Sequence, residues 1–378
     1  MKFSMVFEAQ TADSSPGAEQ QLLRDCVAQA VYGEQAGFDG VWAVEHHALE
    51  WYAHMSAPEI FLTWVAARTE RMRIGHGVVC MPFNFNHPAR VAERAAMLDV
   101  LSGGRLNLGA GRGATLQEMS LCQVAPERTY PELDEALRII GSVWQQDTFE
   151  WHGKLLDIEP PQGKYFRVLP RPLQRPHPPL YLACTKRDTV RLAAEYGVGA
   201  LVMGFGGVEE VRAYRKIYDE AAVTTRTAET QVSTEINHTL VALCPTIVLD
   251  DADLARKMGM RGQQFFSESI AYWYGGGDPP SLELDYDNIE ENLKRRRDTH
   301  IARLQEQNIP ITPETGAAFN VNHAYGSPQR AIEYVEQLRD AGADEIMCLV
   351  QMGTVPQSVC METLRHWGEQ VIPHFRRD

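Results

Sequence analysis

Short runs rich in Val, Ile, Leu and Phe recur along the chain between longer stretches whose apolar residues return every three or four positions. The runs predict strands at 2–7, 39–44, 72–79, 105–109, 179–183, 199–203, 239–244 and 344–350. The periodic stretches predict helices at 18–36, 56–69, 88–101, 129–146, 187–196, 208–222, 251–273, 328–341 and 356–372. Runs that are apolar at successive positions suit strands covered on both faces, as in a parallel sheet wrapped by helices. The phrases "GEQAGFDGVWAV" and "RDAGADEIMCLV" share one design, an amphipathic helix stopped at a glycine and followed at once by a buried strand. Eight strands in βα order, closed by a C-terminal helix, predict an α/β fold: a single (β/α)8 TIM barrel over residues 1–378. An open doubly wound sheet is the alternative.

Two segments break the alternation. Residues 149–178 are proline-rich with two strand-like pieces, which predicts a small β-excursion and then an extended crossing into the fifth barrel strand. Residues 274–326 are too long for a structureless connection, so a helical insertion is expected after strand seven, on the face where barrel active sites form. The glycines of "YGGGDPPS" at its start would let it hinge as a lid.

Composition narrows the function. A net charge of −14 argues against a nucleic-acid partner, which would call for clustered Lys and Arg. The one basic run, "KRRRDTH", is flanked by "DYDNIEEN" and reads as a solvated helix face. The seven cysteines never occur as C-x-x-C and several lie in apolar runs, a pattern of buried thiols and not of a disulfide frame or zinc site. "MKFSMVFEAQ" reads as a strand and not a signal peptide, and no apolar run is long enough to span a bilayer, so a cytoplasmic protein with no membrane partner is expected.

Two stretches carry candidate chemistry. "VWAVEHH" ends a predicted barrel strand with Glu45, His46 and His47, whose side chains alternate, so one histidine can face the barrel mouth while its neighbour packs sideways. A metal site is disfavoured, because adjacent histidines on a strand diverge and no second pair has ligand spacing. "LNLGAGRGA" satisfies the G-x-G-x-x-A dinucleotide fingerprint at Gly109, Gly111 and Ala114. A dinucleotide fold would then need an acidic residue at the end of the next strand. Here a loop and helix follow, so the match is accidental and the glycines let the backbone approach another group closely.

The runs "GFDGVWAVEHH", "RIGHGVVCMPFNFNHP" and "LDVLSGGRLNLGAGRG", with "PPLYLACTKRDTVRLAAEYGVGALV" and "GSPQRAIEYVEQLRDAGADEIMCLV" further on, resemble the bacterial luciferase-like family of flavin-dependent monooxygenases. The resemblance implies a (β/α)8 barrel that takes reduced FMN from a separate flavin reductase. With O2 it would oxygenate a small organic substrate through a flavin peroxide. It assigns His46 to the reacting end of the flavin, as a group that orients or moves a proton. It also puts a non-prolyl cis bond at Gly77–Val78 against the flavin ring, and places Gly111 and Arg112 at the FMN phosphate. Thr189 matches a phosphate-binding hydroxyl, with Thr185, Lys186 and Arg187 beside it at a helix N-terminus.

There are departures. Where the luciferase has a reactive cysteine in the glycine-flanked turn this chain has Gly111, and where it has Glu and Ser after strand five this chain has Thr185 and Lys186, so light emission is not implied. Trp51, Tyr52, His54, Phe83, Phe85, Tyr272, Trp273 and Tyr274 are candidates to line the site or cover a ring. Alternatives on the same barrel are hydride transfer with a deazaflavin and flavin binding without turnover. A family that is often dimeric, and the stretch "APEIFLTWVAA" with apolar residues on more than one helical face, imply a homodimer through that helix.

Overall fold

The computed structural model describes residues 1–306 and 317–376. Strand β1 (Lys2–Phe7) leads through α1 (Pro16–Ala36) to β2 (Gly40–Ala43), and α2 (Pro58–Ala66) leads to β3 (Arg73–Cys80). Then α3 (Pro88–Leu101) precedes β4 (Leu106–Gly111), followed by the short α4 (Leu116–Leu121) and α5 (Thr129–Ser142). After a hairpin of β5 (Trp151–His152) and β6 (Asp157–Ile158), the chain continues through β7 (Leu180–Cys184), α6 (Arg187–Tyr196), β8 (Gly199–Val202) and α7 (Val208–Thr224) to β9 (Leu240–Val248). The last part holds α8 (Ala252–Gly275), α9 (Ile289–Glu306), β10 (Ala324–Gly326), α10 (Pro328–Asp340), β11 (Glu345–Leu349) and α11 (Gln357–His366).

Eight of these strands close a parallel barrel in the order β1, β2, β3, β4, β7, β8, β9, β11. Closure runs through Ala200 opposite Leu240, Val241 opposite Glu345 and Lys2 opposite Glu345. This is the expected (β/α)8 fold, and all eight expected strands are present. Local signals set the helix limits. Pro occupies the first turn of α1, α2, α3 and α10, where its missing N–H has no partner to lose. Helices α1 and α6 stop at Gly37 and Gly197, whose φ of 96° and 73° is left-handed. Trp42 fills the lower barrel, and its Nε1 donates to Glu345 Oε1 (3.0 Å) and to Ser4 Oγ (3.2 Å). Burial raises the Glu345 carboxyl against the hydrogen bonds from Ser4 and Trp42 that oppose the rise. Six of the seven cysteines are buried.

The excursion forms as expected, with β5 and β6 antiparallel. Two buried carboxylates fasten it. Glu135 of α5 accepts from Trp151 Nε1 (3.0 Å) and from the N–H groups of Leu155 and Leu156 (2.9 Å each). Asp99 of α3 holds the crossing that follows: Oδ2 accepts from the N–H groups of Leu173 (2.8 Å) and Gln174 (3.0 Å), and Oδ1 from Gln174 Nε2 (2.7 Å) and Leu106 N–H (3.3 Å).

The C-terminal third departs from a simple alternation. The crossover helix between β9 and β11 is α10, whereas α8 lies across the barrel mouth. Trp273 Nε1 donates to Glu50 O (2.8 Å), Phe266 packs on Tyr52 and on Phe205, and Gly262 abuts Met352. Those partners follow β2, β8 and β11, so the elaboration starts at α8 and not at residue 274. An unexpected short strand, β10, pairs with the outer end of β9, Ala324 opposite Thr246. Part of the expected insertion, residues 307–316, lies outside the described residues. The helix expected at 356–372 is α11 followed by a wider turn at Trp367–Val371, where Trp367 Nε1 donates to Thr246 Oγ1 (3.0 Å). On α2, Phe61, Leu62 and Val65 are buried while Ile60 and Trp64 stay 66% and 55% exposed. Among the described residues no helix is long and apolar enough to cross a membrane.

Candidate active site

A cavity of about 300 Å³ opens at the C-terminal end of the barrel. Its floor comes from strand ends, among them Val6, Val44, Leu182, Leu243 and Leu349, and its cover from Phe266, Ile270 and Tyr274 of α8. No described residue from 275 to 326 lines it.

On one side stands His46, just past the end of β2. Its Nδ1 lies 2.9 Å from Glu118 Oε1 and its Nε2 lies 3.8 Å from Glu8 Oε2. Glu118 is the third residue of α4 and completes a capping box with Thr115. It accepts from Thr115 N–H and Thr115 Oγ1 (2.8 Å each), and its own N–H donates to Thr115 Oγ1 (3.2 Å). It also accepts from His47 N–H (3.1 Å). Burial opposes its ionisation, but the hydrogen bond and charge of His46 and the bonds from Thr115 outweigh burial and hold it below the usual glutamate range. For His46 burial again works against the charged form, and the bond to Glu118 with the charges of Glu8, Glu118 and Glu45 outweighs it and raises the imidazole. Glu8 sits one residue beyond β1, 4% exposed, and Oε2 has no hydrogen-bond partner. Burial pushes it up to about 7, helped by Glu118 and resisted by His46.

Of the neighbours of His46 in the triplet, Glu45 also borders the cavity and His47 does not. His47 turns sideways: its Nε2 meets Glu45 Oε1 at 3.0 Å and its ring stacks on Phe85. Glu45 also accepts from Cys80 N–H and Asn86 Nδ2 (2.8 Å each), which ties β2 to the loop after β3.

On the other side lie Arg112, Thr185, Lys186 and Thr189. The Arg112 guanidinium lies over the Tyr130 ring, 5.2 Å from its centroid, and makes no hydrogen bond or ion pair with the described residues. Lys186 and Thr189 shape the N-terminus of α6: Thr189 Oγ1 donates to Lys186 O (2.8 Å) and accepts from Lys186 N–H (3.3 Å). The first-turn N–H groups of a helix have no partner within it, so this end favours an anion. Arg187, one position into α6, does not line the cavity.

Between the two sides are Gly77 and Val78, joined by a cis peptide bond at the point where the β3–β4 register shifts. The glycines of "LNLGAGRGA" answer to this feature. A Cβ at Gly109 would lie 2.3 Å from His76 O, and one at Gly111 would lie 2.4 Å from Val78 Cγ2, so both glycines let β4 run against the altered β3 while Val78 borders the cavity.

Of the expected aromatic lining, Tyr52 and Tyr274 border the cavity and the others do not. Trp51 and Tyr272 pack edge to face on each other, and His54 Nδ1 sits 3.1 Å from Glu19. Phe205 and Phe266 join the lining instead. Glu8 and Glu118 were not singled out from the sequence: Glu8 follows a buried strand without any motif, and Glu118 was readable only as the acidic end of T-x-x-E in "ATLQE".

The sequence pattern of the luciferase-like monooxygenases matches residues 1–345. The chain belongs to this family. Family relatives include flavin-dependent monooxygenases and F420-dependent oxidoreductases. The oxygenase component of a flavin-dependent trigonelline monooxygenase from Acinetobacter baylyi is 25% identical over 366 residues, 93% of this chain and 90% of that protein. An F420-dependent glucose-6-phosphate dehydrogenase from Amycolatopsis mediterranei is 31% identical over 198 residues, 51% of this chain and 57% of its own. Among solved structures, the oxygenating constituent of 3,6-diketocamphane monooxygenase from Pseudomonas putida, in complex with FMN, superposes with a TM-score of 0.71 at 18% identity, covering 99% of this chain and 98% of that one. These comparisons account for the barrel that carries the cavity.

Proposed function

We propose that this protein is the oxygenase of a two-component system: it takes reduced FMN from a separate flavin reductase and uses O2 to oxygenate a small organic substrate. The observation that carries the reading is the division of one cavity into a cationic end and a proton-handling end. Arg112, which makes no hydrogen bond or ion pair with the described residues, lines one cavity with Thr185, Lys186 and Thr189 at the N-terminus of α6, and the set suits a phosphate dianion, because a guanidinium fork and a helix N-terminus match its oxygens. Gly77, Val78 and Gly111 offer a side-chain-poor wall for a flat ring. Bound reduced FMN supplies two electrons, so that one oxygen atom enters the substrate and the other leaves as water. His46, oriented by Glu118 through Nδ1, can hold or pass a proton at Nε2. The apolar strand ends and α8 keep bulk water out.

The deciding experiment mixes the protein with photoreduced FMN under argon and then admits O2. A transient near-ultraviolet band, distinct from both reduced and oxidised FMN, is expected. Featureless reoxidation at the rate of free FMN, with turnover on reduced F420 instead, would establish the deazaflavin reading suggested by the dehydrogenase relative. Arg112→Ala is expected to weaken binding of reduced FMN by ~1.5 to 3 kcal/mol, about ten- to a hundredfold, with the fold intact. Equal affinities in anaerobic equilibrium dialysis would remove Arg112 from the phosphate site.

Two further parts of the proposal concern assembly and access. Ile60 and Trp64 on α2 lie on the outer ring next to α3, where Met97 and Leu101 are 53% and 66% exposed. Such an apolar face suits a two-fold homodimer, and light scattering at micromolar concentration should return twice the chain mass; the mass of one chain would rule it out. Residues 274–326 are the proposed lid, hinged at Gly275 to Gly277. Limited proteolysis should cut there and slow when FMN and substrate are added, whereas cleavage indifferent to both would leave the segment without that role.

A further inference from the structure

One carboxylate of the cavity lacks a close partner. Glu118 is paired with His46 at 2.9 Å, and Glu45 is held by His47, Cys80 N–H and Asn86. Among the described residues Glu8 has only the edge of His46, at 3.8 Å, and its Oε2 makes no hydrogen bond with them although it is buried and Glu8 borders the cavity. With His46 protonated and both Glu8 and Glu118 ionised, one negative charge is left over. A buried, unpartnered oxygen of this kind is rare in native proteins and calls for a partner. The groups around it are rings: Tyr52 packs on His46 (5.0 Å) and on Phe266 (5.4 Å), Phe266 packs on Phe205 (5.1 Å), and Tyr274 borders the same cavity. Carboxylate and aromatic faces together attract a cation that is too weakly hydrated to prefer water. Of the cavity's cationic side chains, Lys186 stands at the N-terminus of α6, while Arg112 lies over the Tyr130 ring and within electrostatic reach of Tyr274.

We infer that the substrate of this enzyme is an organic cation, a quaternary ammonium or protonated amine, whose charged nitrogen seats against Glu8 among Tyr52, Phe266 and Tyr274. The inference rests on the proposed oxygenase reading only for the word substrate; the recognition itself is a property of the cavity. Glu8 is the group that ionises to receive the cation. The titratable groups that face it, His46, Glu118, Tyr52 and Tyr274, either stay as they are near neutral pH or, for His46, lose a positive charge as pH rises. Ionisation of Glu8, whose carboxyl is pushed up to about 7, therefore strengthens cation binding from pH 6 to pH 8.

Choline and its neutral isostere 3,3-dimethylbutan-1-ol have the same shape and differ in the charge, so their binding to the full-length protein by titration calorimetry tests the point. At pH 8 choline is expected to bind at least tenfold tighter than the alcohol. That preference should disappear in Glu8→Gln and shrink but persist in Glu8→Asp. Equal affinities in the wild type, or a preference that survives in Glu8→Gln, would overturn the inference. Dialysis of FMN against the same preparations keeps the two readings apart. A protein that prefers choline but binds no FMN loses the oxygenase reading and keeps this one. A protein that binds FMN and shows no preference for the cation does the reverse.

Discussion

Replacing Glu8 with glutamine is expected to stabilise the folded protein by about 3 kcal/mol at pH 8 and to change little at pH 5. The ordinary glutamate value of 4.5 rises to about 7 in the fold, first because of burial. A group whose folded-state value is raised favours folding fully only below its unfolded value, and that contribution is lost as pH climbs through the folded one. The window is therefore from 4.5 to about 7, and a gap of that size at ~1.4 kcal/mol per unit gives the stated magnitude. Glutamine keeps the shape and cannot ionise, so it escapes the loss. Urea unfolding of both proteins at pH 5 and pH 8 measures the effect, and a difference between them that is the same at the two pH values would contradict it. A residue that weakens the fold at neutral pH and has no partner for one of its oxygens is more readily understood as retained for binding than for stability.

Removing the carboxylate of Asp99 should do the opposite and do it everywhere. Asp99→Ala would leave the N–H groups of Leu173, Gln174 and Leu106 and the Gln174 side chain without their shared acceptor, in a place where Asp99 itself is fully buried. A buried donor left without an acceptor costs about 1–3 kcal/mol, and three backbone N–H groups lose theirs here while Gln174 Nε2 keeps Leu106 O, so a total loss of at least about 3 kcal/mol is expected. Urea midpoints should fall accordingly, and the crossing at 171–178 should become sensitive to protease before the barrel does. A variant with the wild-type midpoint would mean that water replaces the carboxylate without loss. The cavity is expected to survive in the folded fraction, because Asp99 does not border it.

The barrel was legible because each of its strands is apolar at successive positions and is bounded by a helix with a start or stop signal. Leu240–Val248 is buried at every position, and no surface strand reads that way. What sequence pattern could not supply was contact between distant pieces. Asp99 looks like any polar residue near a helix C-terminus, and its partners in the crossing, Leu173 and Gln174, lie more than seventy positions on. The helical period of 251–273 was correct, but period carries no information on whether a helix flanks the barrel or lies over its mouth. In the site, Arg112 and His46 were found because they stand in recognisable runs, and Gly109 and Gly111 were noticed for a motif whose meaning they do not have. Glu8 belongs to no run, and its importance arises only from burial and from an oxygen left without a partner.

The way α8 is attached has a bearing on how such enzymes can diversify. The chain leaves β9 at Leu249 and returns at β10, and the Leu249 N–H donates to Gly326 O at 3.2 Å, so the two ends of the segment that contains α8 are already side by side. The barrel pairing of β9 with β11 ends at Pro245, below that junction. An exchange of the whole segment between Leu249 and Ala324 thus breaks no hydrogen bond that closes the barrel. It would also leave Arg112, Lys186 and Thr189 where they are. The cover behaves as a cassette: it can be rewritten to admit a different guest while the far side of the cavity and the frame beneath it stay the same.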